Sequence, residues 1–115
     1  GADLDESTRR TLSRGRRVRE VLRQGALETV PVARQVAALF AVDEGLFDEA
    51  PVAALGALEA SLHRELAARS PAVASGIESG APLGDAERAA LREVAASVVA
   101  RARAAGYGGA QTEQR

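Results

Sequence analysis

The stretch Asp3-Leu4-Asp5-Glu6-Ser7-Thr8-Arg9-Arg10-Thr11-Leu12-Ser13-Arg14-Gly15-Arg16-Arg17-Val18-Arg19-Glu20-Val21-Leu22-Arg23-Gln24 decides how this chain is read. It opens with an acidic turn and continues as an arginine-rich segment with one apolar stripe. Leu4, Thr8, Leu12, Gly15, Val18 and Leu22 recur at steps of three or four, which is the repeat of one helix face. The spacing predicts a helix over residues 6–23, with Asp5 or Ser7 as its N-cap and Gly25 as its C-terminal stop. Gly15 lies on the stripe, where it predicts close approach of a second helix. Nothing in the stretch could carry out a reaction.

Outward from it, helix formers and turn residues alternate. Pro31 suits the first turn of a second helix. The unbroken apolar run 36–42 predicts that this helix is apolar all round and therefore central. Asp43-Glu44-Gly45 ends it, and Gly45 suits a left-handed backbone. A third helix is expected from Pro51 to about Arg69, with Val52, Leu55, Leu58, Leu62 and Leu66 as its stripe. Pro71 starts a short fourth helix ending at Gly80, with Val73 and Ile77 inward. The last runs from Gly84-Asp85 to about Ala104, with Leu91, Val94, Val98 and Ala102 inward. Alanine, leucine and arginine all favour helix, and no β-branched alternation occurs. The fold expected is all-α, a compact bundle of about five helices with short connections. Its domain spans residues 1–105. Residues 106–115 have no periodicity and are expected to form a disordered tail.

Composition narrows the classes. A chain of 115 residues is one domain with one modest core. Cysteine is absent, which excludes disulfides and thiolate metal sites. The net charge of −1 argues against general nucleic-acid binding, and aromatics are limited to Phe40, Phe47 and Tyr107, too few for base-stacking platforms. No apolar run approaches the roughly 20 residues that span a bilayer, and no signal-peptide pattern opens the sequence. Gly1-Ala2 reads as a boundary or a tag remnant.

In this order the blocks carry a likeness. Asp3-Leu4-Asp5-x-x-Thr8, Leu12-x-x-Gly15-x-Arg17 and Glu20-x-Leu22-x-Gln24 are followed by Pro31-Val32-x-x-Gln35-Val36-Ala37, Gly45-x-x-Asp48 and Pro51-Val52. Leu58-Glu59, Ile77-x-x-Gly80 and Leu83 keep the spacing. Over residues 3–104 the chain resembles the C-terminal helical domain of the F-type ATP synthase alpha subunit. It departs where that family usually has Val-Ile-Tyr-Ala and this sequence has Ala38-Leu39-Phe40-Ala41. It departs again where Phe-Glu is usual and Leu58-Glu59 stands, and where an aromatic is usual and Leu62 stands. A core of smaller aliphatics buries less area, so lower stability and a divergent branch are expected.

The resemblance implies a non-catalytic block in the soluble head of the synthase. There alpha and beta subunits alternate around a gamma shaft, whose rotation pushes the C-terminal domains and changes the nucleotide sites above. The expected partners are the beta and gamma subunits, with no nucleic acid and no direct membrane insertion. For a bacterial source the expected location is peripheral, at the cytoplasmic face of the inner (plasma) membrane. No cofactor is expected in this chain; the parent subunit would bind ATP/ADP and Mg upstream. No Gly-x-x-x-x-Gly-Lys-Ser/Thr loop occurs, and the sequence has no lysine. The arginine that the family offers to the neighbouring active site lies upstream, so no residue here inherits that role.

The candidate interface is the turn at residues 3–10, with Asp3, Asp5, Glu6, Arg9 and Arg10 facing the shaft or a neighbouring subunit. The simpler reading of these acids is a helix N-terminus favoured by the macrodipole; a metal site lacks further ligands at set spacing. No catalytic or metal-binding residue is assigned. His63, the only histidine, reads as a surface or boundary residue. The arginines of the first helix, including Arg14, Arg16, Arg17, Arg19 and Arg23, read as a solvated face with ion pairs, and some meet an adjacent subunit. Gly106 to Gly109 precede no helix and so form no phosphate cradle.

Two other classes compete: a free-standing helical protein-interaction domain and an arginine-rich nucleic-acid binder. An in-frame phosphate-loop domain upstream of Asp3 separates the first from the synthase, and steep salt dependence of DNA binding marks the second. A missing helix before Asp3 would leave the stripe Leu4, Leu12, Val18 and Leu22 uncovered, so the isolated chain is expected to self-associate or fray there.

Overall fold

Proline and glycine punctuate the chain as their backbone chemistry requires. The computed structural model describes residues 5–109. Its helices are α1 (Glu6–Leu27), α2 (Val32–Asp43), α3 (Leu55–Arg69), α4 (Pro71–Glu78) and α5 (Asp85–Ala104), with 3-10 turns at Val52–Ala54 and Gly106–Gly109. Pro31 caps α2, Pro51 precedes the first 3-10 turn, and Pro71 is the first residue of α4. None of these positions needs the N–H that proline lacks. Among the described residues there is no strand, so the all-α expectation holds.

Two helices end in the same motif. At the end of α2, Gly45 N–H donates to Val42 O at 3.0 Å and Leu46 N–H to Ala41 O at 2.9 Å. At the end of α4, Gly80 donates to Ile77 O at 3.0 Å and Ala81 to Gly76 O at 2.8 Å. These paired bonds satisfy carbonyls that a helix end leaves open. Gly45 has φ +79, the left-handed backbone for which glycine has no steric penalty. At its other end α2 is capped from α4, where Glu78 accepts from Ala33 N–H at 2.8 Å. Glu87 accepts from Gly84 N–H at 2.9 Å and closes the start of α5.

α2 and α3 share the centre: α2 packs on α1, α3, α4 and α5, and α3 on α1, α2, α4 and α5. The wholly buried side of α2 is alanine: Ala33, Ala37, Ala38 and Ala41, with Val42. Small side chains let four neighbours approach one helix. Val36, Leu39 and Phe40 are half-buried at its edges. Leu55, Leu58, Leu62 and Leu66 of α3, and Leu91, Val94, Ala95 and Val98 of α5, complete the core around Phe47. At the rim, the Arg92 guanidinium lies 5.7 Å from the Phe40 ring centroid and bonds Glu44 at 2.6 Å, tying α5 to the end of α2.

Three expectations are corrected. First, α1 does not stop at Gly25 but continues to Leu27. Gly25 instead faces the Gln35 amide of α2, which would have to move aside for a Cβ. Second, the buried face of α1 is not the leucine stripe, of which only Val18 among the described residues packs against the core. Arg17 and Val21 point inward, while Leu12 and Leu22 are each 50% exposed. Among the described residues Gly15 has no neighbour within 4 Å of where a Cβ would stand, so none of the described helices approaches it. The partner surface decides this: the connector after α2 presents backbone carbonyls, and these select an arginine over a leucine. Third, the tail does not leave the domain at Gly106. Gly106–Gly109 form a turn, and Tyr107 is only 7% exposed in the core, because its ring has apolar area to bury. Residues 110–115, with Asp3 and Leu4, lie outside the described residues.

Candidate functional site

Asp5 accepts from Thr8 N–H at 2.7 Å and so caps α1. This bond holds its carboxyl below the ordinary carboxylate value. Glu6 follows in the first turn, where negative charge meets the positive end of the helix dipole. Residues 5–12 are all exposed. The first two turns of α1 therefore project beyond the body of the bundle. Of the predicted interface residues, Asp5, Glu6, Arg9 and Arg10 occupy this projecting end, and Asp3 lies outside the described residues. Glu6, Arg9, Arg10 and Ser13 line a shallow depression with Asp48 and Glu49 of the α2–α3 connector. It carries acids and arginines together and suits a polar contact more than a small apolar ligand.

The projecting end is firmly held at its base. Arg14 pairs with Asp48 through two parallel bonds, Nε–Oδ1 at 3.0 Å and Nη2–Oδ2 at 2.9 Å. The pairing with Asp48 raises the Arg14 pKa. One turn on, Arg17 is 8% exposed. Its Nε donates to Phe47 O at 2.9 Å, its Nη2 to Ala50 O at 2.6 Å and its Nη1 to Ser13 Oγ at 2.7 Å. Burial lowers the Arg17 pKa, with Asp48 opposing. The guanidinium fork thus gives Ala50 O a donor and adds a second one to Phe47 O, which already accepts from Ala50 N–H at 3.1 Å.

The sequence reading missed this role and counted Arg17 among solvated arginines. A signal existed. Arg14, Arg17, Val21 and Gln24 share a helical repeat, and the connector 44–51 must find donors for its carbonyls. The ion-pair expectation holds for Arg23, which bonds Glu20 at 2.9 and 2.7 Å. His63 is half-buried on α3. Among the described residues, no three His, Cys, Asp or Glu side chains are placed to hold a metal ion. No helix among them is long and apolar enough to cross a membrane.

Comparison with known proteins gives the family by sequence. The model of the family described as ATP synthase alpha/beta chain, C terminal domain, matches residues 1–98. ATP synthase subunit alpha 2 of Syntrophus aciditrophicus (strain SB) is 39% identical over 100 residues, covering 87% of this chain and 19% of that protein. ATP synthase subunit alpha of Xanthomonas campestris pv. campestris (strain B100) is 44% identical over 66 residues, covering 57% of this chain and 13% of that protein. The chain therefore spans less than about a fifth of the length of these curated relatives. No solved structure gives a significant match. With the family model covering most of its length, this protein belongs to the family of ATP synthase alpha/beta C-terminal domains.

Proposed function

We propose that this chain is the non-catalytic C-terminal helical block of an ATP synthase alpha subunit. In this reading it packs in the alternating alpha/beta ring around the gamma shaft and helps couple rotation to ATP synthesis and hydrolysis. One observation carries the reading beyond family membership. The exposed end of α1, with Asp5, Glu6, Arg9 and Arg10, projects from the bundle while Arg14 and Arg17 fasten its base to the α2–α3 connector. A charged end on a clamped helix passes a push into the packed block instead of absorbing it by bending.

The partners are then the beta and gamma subunits, and neither nucleic acid nor the bilayer interior is contacted. The nucleotide and Mg belong to the part of the subunit upstream, and the chain hydrolyses no ATP by itself. For a bacterial source it sits at the cytoplasmic face of the inner membrane as a peripheral piece of a proton-translocating complex.

The test is co-expression of the subunit carrying this chain with beta and gamma. The reading expects co-purification of the three. It also expects that joint reversal of charge at Asp5, Glu6, Arg9 and Arg10 lowers ATP-driven proton pumping more than it lowers assembly. Failure to co-purify, or pumping unchanged by the reversals, overturns it.

A further inference from the structure

Glu59 is the buried acid that the bundle leaves without a bond. It stands on α3 facing α1 and α2 and is 1% exposed. Neither carboxylate oxygen has a hydrogen-bond partner among the described residues, and neither does Arg34 Nε. That nitrogen lies 4.0 Å from Glu59 Oε1, close enough for attraction and too far for a hydrogen bond. A second nitrogen of the same guanidinium, Nη2, lies 3.9 Å from Oε1 of Glu28, the residue that ends α1. One arginine thus stands between a buried carboxyl and a 60% exposed one and is bonded to neither.

The surroundings keep the carboxyl short of donors. Glu20 of α1 also faces this corner, but Arg23 bonds both of its oxygens and Gln24 Nε2 donates to it at 2.8 Å. The Gln24 amide lies against Gly56 of α3 and the Gln35 amide against Gly25 of α1, so both glycines bring the helices close around the site. Burial pushes the Glu59 carboxyl up to about 7; Arg34 opposes this, and Glu20 and Glu28 add to it.

We propose that Glu59 and Arg34 form a proton-operated latch at the junction of α1, α2 and α3, in which Arg34 moves between Glu59 and Glu28 as Glu59 loses and gains a proton. With Glu59 neutral, the buried site needs no counter-ion, and Arg34 turns outward to Glu28. With Glu59 charged, an unpaired buried carboxylate is costly, and Arg34 closes on it and leaves Glu28. The moving part is the α1–α2 corner, flanked by Leu27 and Val32, which are 68% and 54% exposed. Proton uptake at a buried residue is thereby read out on the surface.

A pH titration of the labelled protein by NMR tests this, following the Glu59 carboxyl carbon, Arg34 Nε and the amides of residues 28–30. The latch expects a Glu59 midpoint near pH 7, with Arg34 Nε and the corner amides moving at the same midpoint. Glu59→Gln should abolish that midpoint in the Arg34 and corner signals. Glu28→Gln should keep the Glu59 transition and remove the corner response. A Glu59 midpoint in the ordinary carboxylate range, or Arg34 and corner signals that do not follow Glu59, overturns the proposal. Should Glu59→Gln fail to fold, the unsubstituted protein and Glu28→Gln still decide it.

Discussion

Arg17 donates to the carbonyl of Ala50 at 2.6 Å from the buried face of α1. An arginine thus occupies the place that amphipathic patterning gives to leucine. Its other donors reach Phe47 O, which also accepts from Ala50 N–H at 3.1 Å, and Ser13, so one side chain completes the hydrogen bonding of a connector whose Ala50 carbonyl would otherwise lack a donor. Arg17→Ala should destabilise the fold by about 2–3 kcal/mol, the scale for losing charged hydrogen bonds and stranding their acceptors. Arg17→Lys should recover only part, because an ammonium lacks the fork. Urea unfolding measures both; a loss below about 0.5 kcal/mol for alanine would mean that water replaces the guanidinium.

Stability should carry a pH signature from Glu59. Its folded pKa is raised from 4.5 to about 7. Below 4.5 the acid is protonated in both states and its contribution is fully present. As pH rises from 4.5 to about 7, the unfolded state loses the proton while the folded state keeps it, so stability falls and then levels off. The fall is on the order of 3 kcal/mol. Glu20 has the opposite sign: the hydrogen bond from Arg23 lowers its pKa, so its contribution is lost as pH drops. Glu59→Gln should flatten the fall and be more stable than the parent at pH 8. Parallel curves from pH 4 to 8 would refute the assignment.

Two glycines should respond to alanine in opposite directions. Gly15 is exposed inside α1 with nothing near a new Cβ, so Gly15→Ala should stabilise by about 0.5–1 kcal/mol. Gly45 has φ +79, and a Cβ there would also press on the Arg14 guanidinium. Gly45→Ala should cost about 1–2 kcal/mol. Thermal unfolding of the two variants gives the comparison, and equal shifts would contradict it.

Tyr107 should behave as core. Its hydroxyl is buried without a partner among the described residues. Tyr107→Phe should therefore be neutral or slightly stabilising, while Tyr107→Ala should cost about 1.5–3 kcal/mol. A silent Tyr107→Ala would return residues 106–109 to the status of a tail.

The uncovered leucines should govern association. Leu12 and Leu22 are each half exposed on α1, beside Arg16, Arg19 and Arg23. Sedimentation should show concentration-dependent association that strengthens with salt, as arginine repulsion is screened. Changing both leucines to serine should leave a monomer with the same helix content. A parent protein that stays monomeric at millimolar concentration would count against this.

Much of the architecture was legible in the residues. The apolar run 36–42 marked one of the two central helices, the leucine spacing of α3 marked the core face of the other, and Gly45 and Gly80 marked two helix ends. These are local signals, since periodicity and left-handed φ act within a few residues. The charged end of α1 was legible as a place but not as a clamped projection. Asp5 was readable as a cap because its partner, Thr8, is three residues away. Asp48, the partner of Arg14, is 34 residues away.

The all-α class, the family likeness and the helix starts are written in the order of the residues, except that the third helix, expected from Pro51, begins at Leu55 after a 3-10 turn. The buried face of α1 is not written there: it emerges when the helix meets the α2–α3 connector. Packing put Arg17 inside and left Leu12 and Leu22 out, drew Tyr107 into the core and stranded Glu59 beside Arg34. One cause underlies each of these. A helix face is chosen by the surface it meets, and that surface comes from residues distant in the chain, whose carbonyls, charges and empty spaces no local pattern records.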